Sequence, residues 1–235
     1  MYTQHIIIDF EMNPIATGKI RVRNTMLGTE IIEIGAVKVN RDLEIADRFH
    51  CMVQPAYSST VCPDIARLTG IKNREIAQAC SLAEALTLLS DWIGTEEKTR
   101  IYSWSNSDLN QLKKECRAKD IPFPKTMQRW LDFQAFFPQL FGLGNRHRKV
   151  SLKNAATSYG LTFESKKAHR ALYDAEITAE LLLPVLDGSY RKQIELIQSY
   201  LKSEELTSSS LGDLFGGVFS QFRKPSDKKE PGNPP

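Results

Sequence analysis

The stretch His5-Ile6-Ile7-Ile8-Asp9-Phe10-Glu11-Met12-Asn13 constrains the fold more than any other in the chain. Three consecutive β-branched isoleucines predict a strand covered on both faces, as in an α/β sheet. Asp9 and Glu11 stand at i and i+2, so in an extended backbone both point to the same side. Two like charges on one face at the edge of a core repel each other and lose hydration unless a cation or hydrogen-bond donors compensate. A divalent metal ion is the simplest compensation. The plainer alternative is a strand that ends at solvent, and the rest of the chain decides between them.

The order of elements predicts the sheet. Pro14 to Thr29 holds Gly18, Gly28 and the basic run Lys19, Arg21, Arg23, and reads as either a hairpin or a mobile loop. Glu30 to Asn40 is strand-like, Asn40-Arg41-Asp42 a turn, and Glu44 to Gln54 the return strand. Then the character changes. Pro63 to Leu68 predicts a short helix closed by Gly70, and Ser81-Leu82-Ala83-Glu84 a capping box opening a helix with Leu82, Leu86, Leu89 and Ile93 at helical spacing. Arg100 to Trp104 and Trp130 to Phe133 read as strands. Asp108 to Lys119, Gln134 to Phe141 and Ala168 to Val185 read as helices, as does a segment capped by Ser151 and ending at Gly160. The expected fold is α/β, with a mixed central sheet (an antiparallel meander plus parallel strands) flanked by helices.

Composition narrows the setting. With 235 residues, 41% of them hydrophobic and 25% charged, the chain can bury one sizeable core. No stretch approaches the ~18 to 20 apolar residues of a membrane span, and the start lacks a signal-peptide pattern. We therefore expect no membrane partner. Cys51, Cys62, Cys80 and Cys116 form no CxxC pair, so they are expected to be reduced thiols of a cytoplasmic protein. A net charge of +3 is too small to prove a nucleic-acid partner by itself.

Two further acidic positions fall where such a sheet builds a site. Asp108 follows the Arg100–Trp104 strand at a helix start, and ligands gather beyond the carboxyl ends of strands in open α/β sheets. Asp174 sits in the first turns of an Ala-rich helix, with His169 five residues before it. Taken singly, Asp108 is a favourable helix-start charge and His169 an ordinary structural histidine. A histidine beside four carboxylates is different, because metal-assisted hydrolysis needs a base that titrates near neutrality.

These residues resemble the DEDDh-type 3′–5′ exonucleases, the DnaQ-like/RNase T superfamily with an RNase H-like fold. The family's Asp-x-Glu is matched by Asp9-Phe10-Glu11, its helix-start Asp by Asp108, and its His-x4-Asp by His169 to Asp174. Glu33-Ile34-Gly35-Ala36-Val37 and Leu68-Thr69-Gly70-Ile71 resemble further landmarks. The Asp-Phe-Glu start and Ser103-Trp104-Ser105-Asn106-Ser107-Asp108 look most like the KapD-like and enhanced-RNAi-type members. The likeness covers about residues 3 to 186. Many proofreading-type members carry His-Asn-x-x-Phe-Asp at the second motif, so the hold on the terminal sugar and base departs from theirs.

The resemblance implies metal-dependent hydrolysis of single-stranded DNA or RNA, or of short oligonucleotides, from a free 3′ end, releasing 5′-nucleoside monophosphates. It implies two divalent cations, Mg²⁺ or Mn²⁺. Asp9 would bridge both ions, Glu11 and Asp174 would complete the site of the water-activating ion, and Asp108 would serve the second. His169 would take the proton from the attacking water. Phe10, Met12, Leu68, Ile71 and Trp104 would contact the last nucleotides, each with core packing as its plainer role. The basic residues Arg146, Arg148, Lys149, Lys166, Lys167 and Arg170 would draw the strand in, with a solvated loop without a partner as the plainer reading. The expected organisation is an exonuclease domain over 1–187, an added helix over 188–205 and a largely disordered tail over 206–235. The added helix has two candidate uses, forming a homodimer or packing on its own domain. In the tail, Leu211-Gly212-Asp213-Leu214-Phe215 faintly resembles sliding-clamp-binding peptides but lacks their leading glutamine. The competing reading is a non-catalytic nucleic-acid-binding module on the same fold, which would be expected to have lost one of the five residues; none is missing.

Overall fold

A computed structural model describes residues 2–95, 98–142 and 149–203. Arg146 and Arg148 of the basic loop, the 206–235 tail and its Leu211–Phe215 segment lie outside the described residues.

The isoleucine-rich opening forms β1 (Gln4–Pro14), and a small antiparallel hairpin follows, β2 (Ile20–Val22) and β3 (Thr25–Leu27). Next come β4 (Thr29–Val39), β5 (Ile45–Gln54), α1 (Pro63–Thr69), α2 (Asn73–Ala77), β6 (Cys80–Ser81) and α3 (Leu82–Ile93). The second half runs β7 (Thr99–Ser103), α4 (Ser107–Lys119), β8 (Trp130–Asp132), α5 (Phe133–Leu140), α6 (Leu152–Ser158), α7 (Ala171–Asp187) and α8 (Ile194–Ser203). The main sheet has the order β6-β5-β4-β1-β7-β8. β1, β4 and β5 are the antiparallel meander, while β7 runs parallel to β1 and β8 parallel to β7.

β1 is central, and its alternation divides the core. Ile6, Ile8 and Phe10 pack with α3 and α4 on one face, through Leu86, Leu89 and Leu112. Ile7 packs on the other face with α5, α6, α7 and α8. Each isoleucine is fully buried; at about 25 cal/mol per Å² this run is a main source of the sheet's stability.

Local signals explain most boundaries. The Ser81 hydroxyl accepts from Glu84 N–H and the Glu84 carboxylate accepts from Ser81 N–H, closing the predicted capping box. Gly70 ends α1 at φ 75°. The Pro14–Thr29 segment resolves as a hairpin, with Arg23 and Asn24 both at positive φ in its turn. The expected helix from Ala168 begins at Ala171 instead, because His169 takes φ 64° and breaks the helical path. The added C-terminal element is a 3₁₀ turn (Ser189–Gln193) followed by α8. α8 packs back on its own domain, burying Ile197 and Leu201, and Gln198 donates to the Phe141 carbonyl. All four cysteines are free thiols, with Cys51 and Cys80 sulfurs 3.5 Å apart. Among the described residues, no helix is long and apolar enough to cross a membrane.

Candidate active site

β1 pairs with β7 only as far as Ile7 opposite Tyr102, then continues beyond the end of its neighbour. Asp9 and Glu11 therefore project at the carboxyl end of two parallel strands, on the α7 side of the sheet. An irregularity in the β1–β4 register between Glu11 and Met12 re-aims the backbone just beyond them. α4 starts at the same edge and buries Asp108, which is 3% exposed. Asp108 Oδ1 accepts from Phe10 N–H at 3.2 Å, tying the helix start to the strand between the two acidic residues.

α7 brings the remaining pair. Its N-terminus lies against Gly35, the β4 residue directly opposite Asp9. A Cβ at Gly35 would sit 2.1 Å from Leu172 N, so only glycine permits this approach. His169 N–H donates to Asp174 Oδ2 at 3.3 Å, folding the residues before α7 over its first turn. Ligand-capable atoms of Glu11, His169 and Asp174 all lie within 4.8 Å of one another.

These five residues share one cavity of about 420 Å³ with Phe10, Met12, Leu68 and Trp104. Its size falls in the ordinary range of small-ligand sites, roughly 300–1,000 Å³. Sequence reasoning had not assigned Pro14, Thr29, Ser105, Ser107, Gln134, Ser151 or Leu152 to this wall. They come from element ends and links, where no periodic signal marks them. Lys149, read only as part of a basic cluster, is the one lysine or arginine among the lining residues.

The apolar predictions separate. Leu68 is 38% exposed and opens into the cavity, and Met12 lies partly buried at its wall. Trp104 lines the cavity but is 7% exposed, with its ring packed edge-on against Phe133 and Phe137. Phe10 is mostly core, packed towards Trp130, and presents its backbone N–H to Asp108. Ile71 does not join them. The turn at Gly70 sends it inward to pack with Ile32, Val61, Ile65 and Ile76, at 1% exposure, so its expected nucleotide contact is replaced by a core role. Arg170 is likewise committed elsewhere, to a bidentate pair with buried Glu33.

The electrostatics show what the site lacks. Burial, then Asp108, Asp174 and Glu11, pushes the Asp9 carboxyl well above its ordinary range, and burial with Asp174 and Glu33 does the same to Glu11. Burial drives Asp108 and Asp174 each up to about 7, against partial relief from backbone N–H donors. Asp174 Oδ1 is buried with no hydrogen-bond partner among the described residues. Burial also lowers His169, favouring its neutral imidazole. A cluster that strains to ionise and keeps an orphaned carboxylate oxygen fits divalent cations, which would stabilise all four charges at once.

Residues 6–182 match the family described as Exonuclease, RNase T. The chain belongs to the RNase T exonuclease family. It is 27% identical over 180 residues to the 3′-5′ exonuclease Snipper of Drosophila melanogaster, covering 68% of this chain and 62% of that protein. It is 29% identical over 210 residues to ERI1 exoribonuclease 2 of Xenopus laevis, covering 80% of this chain and 29% of that one. The chain thus spans less than two thirds of the length of either relative. Among solved structures, the nuclease domain of 3′hExo, a DEDDh family member bound to rAMP, has a similar fold, with TM-score 0.68 and 23% identity over 80% of this chain and 93% of that one. This similarity accords with the mixed, helix-flanked RNase H-like sheet. Exonucleases of this type depend on divalent metal ions.

Proposed function

We propose that this protein is a 3′–5′ exonuclease that removes 5′-nucleoside monophosphates from the free 3′ end of single-stranded nucleic acid. One observation carries the reading: Asp9, Glu11, Asp108, His169 and Asp174, from three distant stretches of the chain, meet at one cavity.

The four carboxylates supply oxygen donors alone, which suits Mg²⁺ or Mn²⁺ better than zinc. Asp9, Glu11, Asp108 and Asp174 are the residues to hold two such ions. When bound, the ions neutralise charge on the phosphodiester and lower the pKa of the attacking water. His169, whose pKa burial lowers, would take that water's proton. Leu68, Met12 and the Trp104 edge form an apolar wall for the terminal nucleotides, with no base-specific pattern of donors required. Lys149 adds positive charge to the cavity lining, suited to a phosphate. With four free thiols, the protein suits a reducing, cytoplasmic setting.

A linear strand and a covalently closed circle of the same sequence test the need for a free end. With Mn²⁺, the linear strand should shorten while the circle stays intact. Nicking of the circle would contradict an exonuclease that needs a free end.

A further inference from the structure

Glu33 is a buried carboxylate that takes no part in the chemistry above. It is 0% exposed, in the middle of an apolar strand, and does not line the catalytic cavity. Across the β1–β4 ladder it lies directly opposite Glu11. Two acids at opposed sheet positions repel, so an uncompensated Glu33 would work against the site. Its compensation comes from the segment that carries His169 and Asp174. Arg170 Nε donates to Oε1 at 2.9 Å and to Oε2 at 3.2 Å, and Arg170 Nη2 donates to Oε1 at 2.6 Å. Ala171, the first residue of α7, donates its backbone N–H to Oε2 at 3.0 Å. On the outer side, His50 Nε2 lies 2.7 Å from Oε1. Glu33's hydrogen bonds to the 169–174 segment fall on the two residues immediately after His169.

This placement has a geometric consequence. His169 sits at φ 64°, a backbone conformation that a non-glycine residue holds only when its surroundings fix it. The chain on its far side is held by the Glu33 carboxylate, and α7 is pressed against Gly35 two residues along the same strand. We propose that Glu33 is a positioning residue: through Arg170 and the Ala171 N–H it locks the turn that aims His169 and Asp174 at the Asp9–Glu11 strand. This rests on the exonuclease reading for its catalytic consequence, and on the hydrogen bonds alone for its geometry. Arg170 thereby serves as the tie between β4 and the catalytic turn, and as the counter-charge that lets Glu33 stand opposite Glu11.

The test compares wild type, Glu33→Gln, Arg170→Met and the double variant Glu33→Gln/Arg170→Met. Three quantities are read: kcat and KM on a single-stranded oligonucleotide, Mn²⁺ affinity of the metal-free protein by calorimetry, and Tm. Glu33→Gln should lower kcat about 10- to 100-fold and weaken Mn²⁺ binding, with KM nearly unchanged, because a supporting partner of the ligands is lost while the apolar wall is not. If Glu33→Gln leaves Arg170 too poorly compensated to fold, the double variant removes that charge as well, and it should fold with the same loss in kcat and affinity. A folded variant with wild-type kcat and wild-type Mn²⁺ affinity overturns the proposal, even if its Tm has dropped, since that is bracing without positioning. Should wild type bind Mn²⁺ yet cleave nothing, the exonuclease reading fails. The affinity difference between wild type and Glu33→Gln would then still decide the role of Glu33.

Discussion

Replacing Gly35 by alanine adds one methyl group, yet the structure gives it nowhere to go. The new Cβ would lie 2.1 Å from Leu172 N and 2.2 Å from the Ala171 carbonyl carbon, both backbone atoms at the start of α7. Ordinary contact begins near 3.4 Å, so the helix start must withdraw by about 1.3 Å from β4, whose Gly35 lies opposite Asp9 of β1. Overpacking of this kind costs about 1–3 kcal/mol of stability. A displacement of about 1 Å in a catalytic group costs on the order of 10²-fold in rate, or about 2.7 kcal/mol of transition-state stabilisation. The cavity residues Met12, Leu68 and Trp104 belong to other elements, so KM should change little. The assay is steady-state cleavage of an oligonucleotide by protein shown to be folded by circular dichroism, beside a thermal melt. A folded Gly35→Ala protein with kcat within about twofold of wild type would refute the claim that close docking of α7 on β4 sets the site.

Three further outcomes follow from the same geometry. Asp108 and Asp174 keep their protons to about pH 7 in the folded state but lose them near pH 4 when unfolded, so metal-free protein should lose stability as pH rises from 4 to 7 and level off above. Saturating Mn²⁺ should raise Tm more at pH 8 than at pH 5, and an Asp108→Asn/Asp174→Asn variant should flatten the metal-free slope; a metal-free Tm that climbs from pH 5 to 7 would contradict the assignment. His169→Ala should cut kcat about 10²- to 10⁴-fold while retaining Mn²⁺ and oligonucleotide binding, and near-full turnover would remove it as the base. Met12→Ala should raise KM on di- to tetranucleotides about fivefold or more, as expected for losing an apolar contact to a base, whereas an unchanged KM returns Met12 to the scaffold.

The parts of this architecture legible in the sequence are those written locally. A buried isoleucine run ending in Asp9 and Glu11, a capping box at Ser81 and Glu84, and a glycine at the end of α1 each depend on neighbours a few residues away. The docking of the turn that carries His169 does not. Glu33 and Arg170 are 137 residues apart, and their pairing turns the Arg170 guanidinium to a carboxylate at the start of α7. The available signal was an acidic residue inside the largely apolar strand Ile31 to Val39, the same anomaly that exposed Asp9. Ile71 misled because its neighbour Leu68 does face the cavity; the left-handed turn at Gly70 places the two on opposite sides of the wall. The Arg23-Asn24 turn lacks the glycine that usually marks a tight hairpin, so the segment could not be told from a mobile loop. The cavity residues Gln134, Ser105 and Ser151 sit at element ends, where only the assembled fold reveals their common surface.

The most direct test of the account uses 5′-labelled single-stranded RNA and DNA of matched sequence, incubated with Mg²⁺ or Mn²⁺ beside EDTA and Asp9→Ala controls. The account predicts a ladder shortening one nucleotide at a time from the 3′ end, abolished by both controls. Strands that are bound but remain full length in the presence of metal would contradict it, and would make the five converging residues a binding site without catalysis.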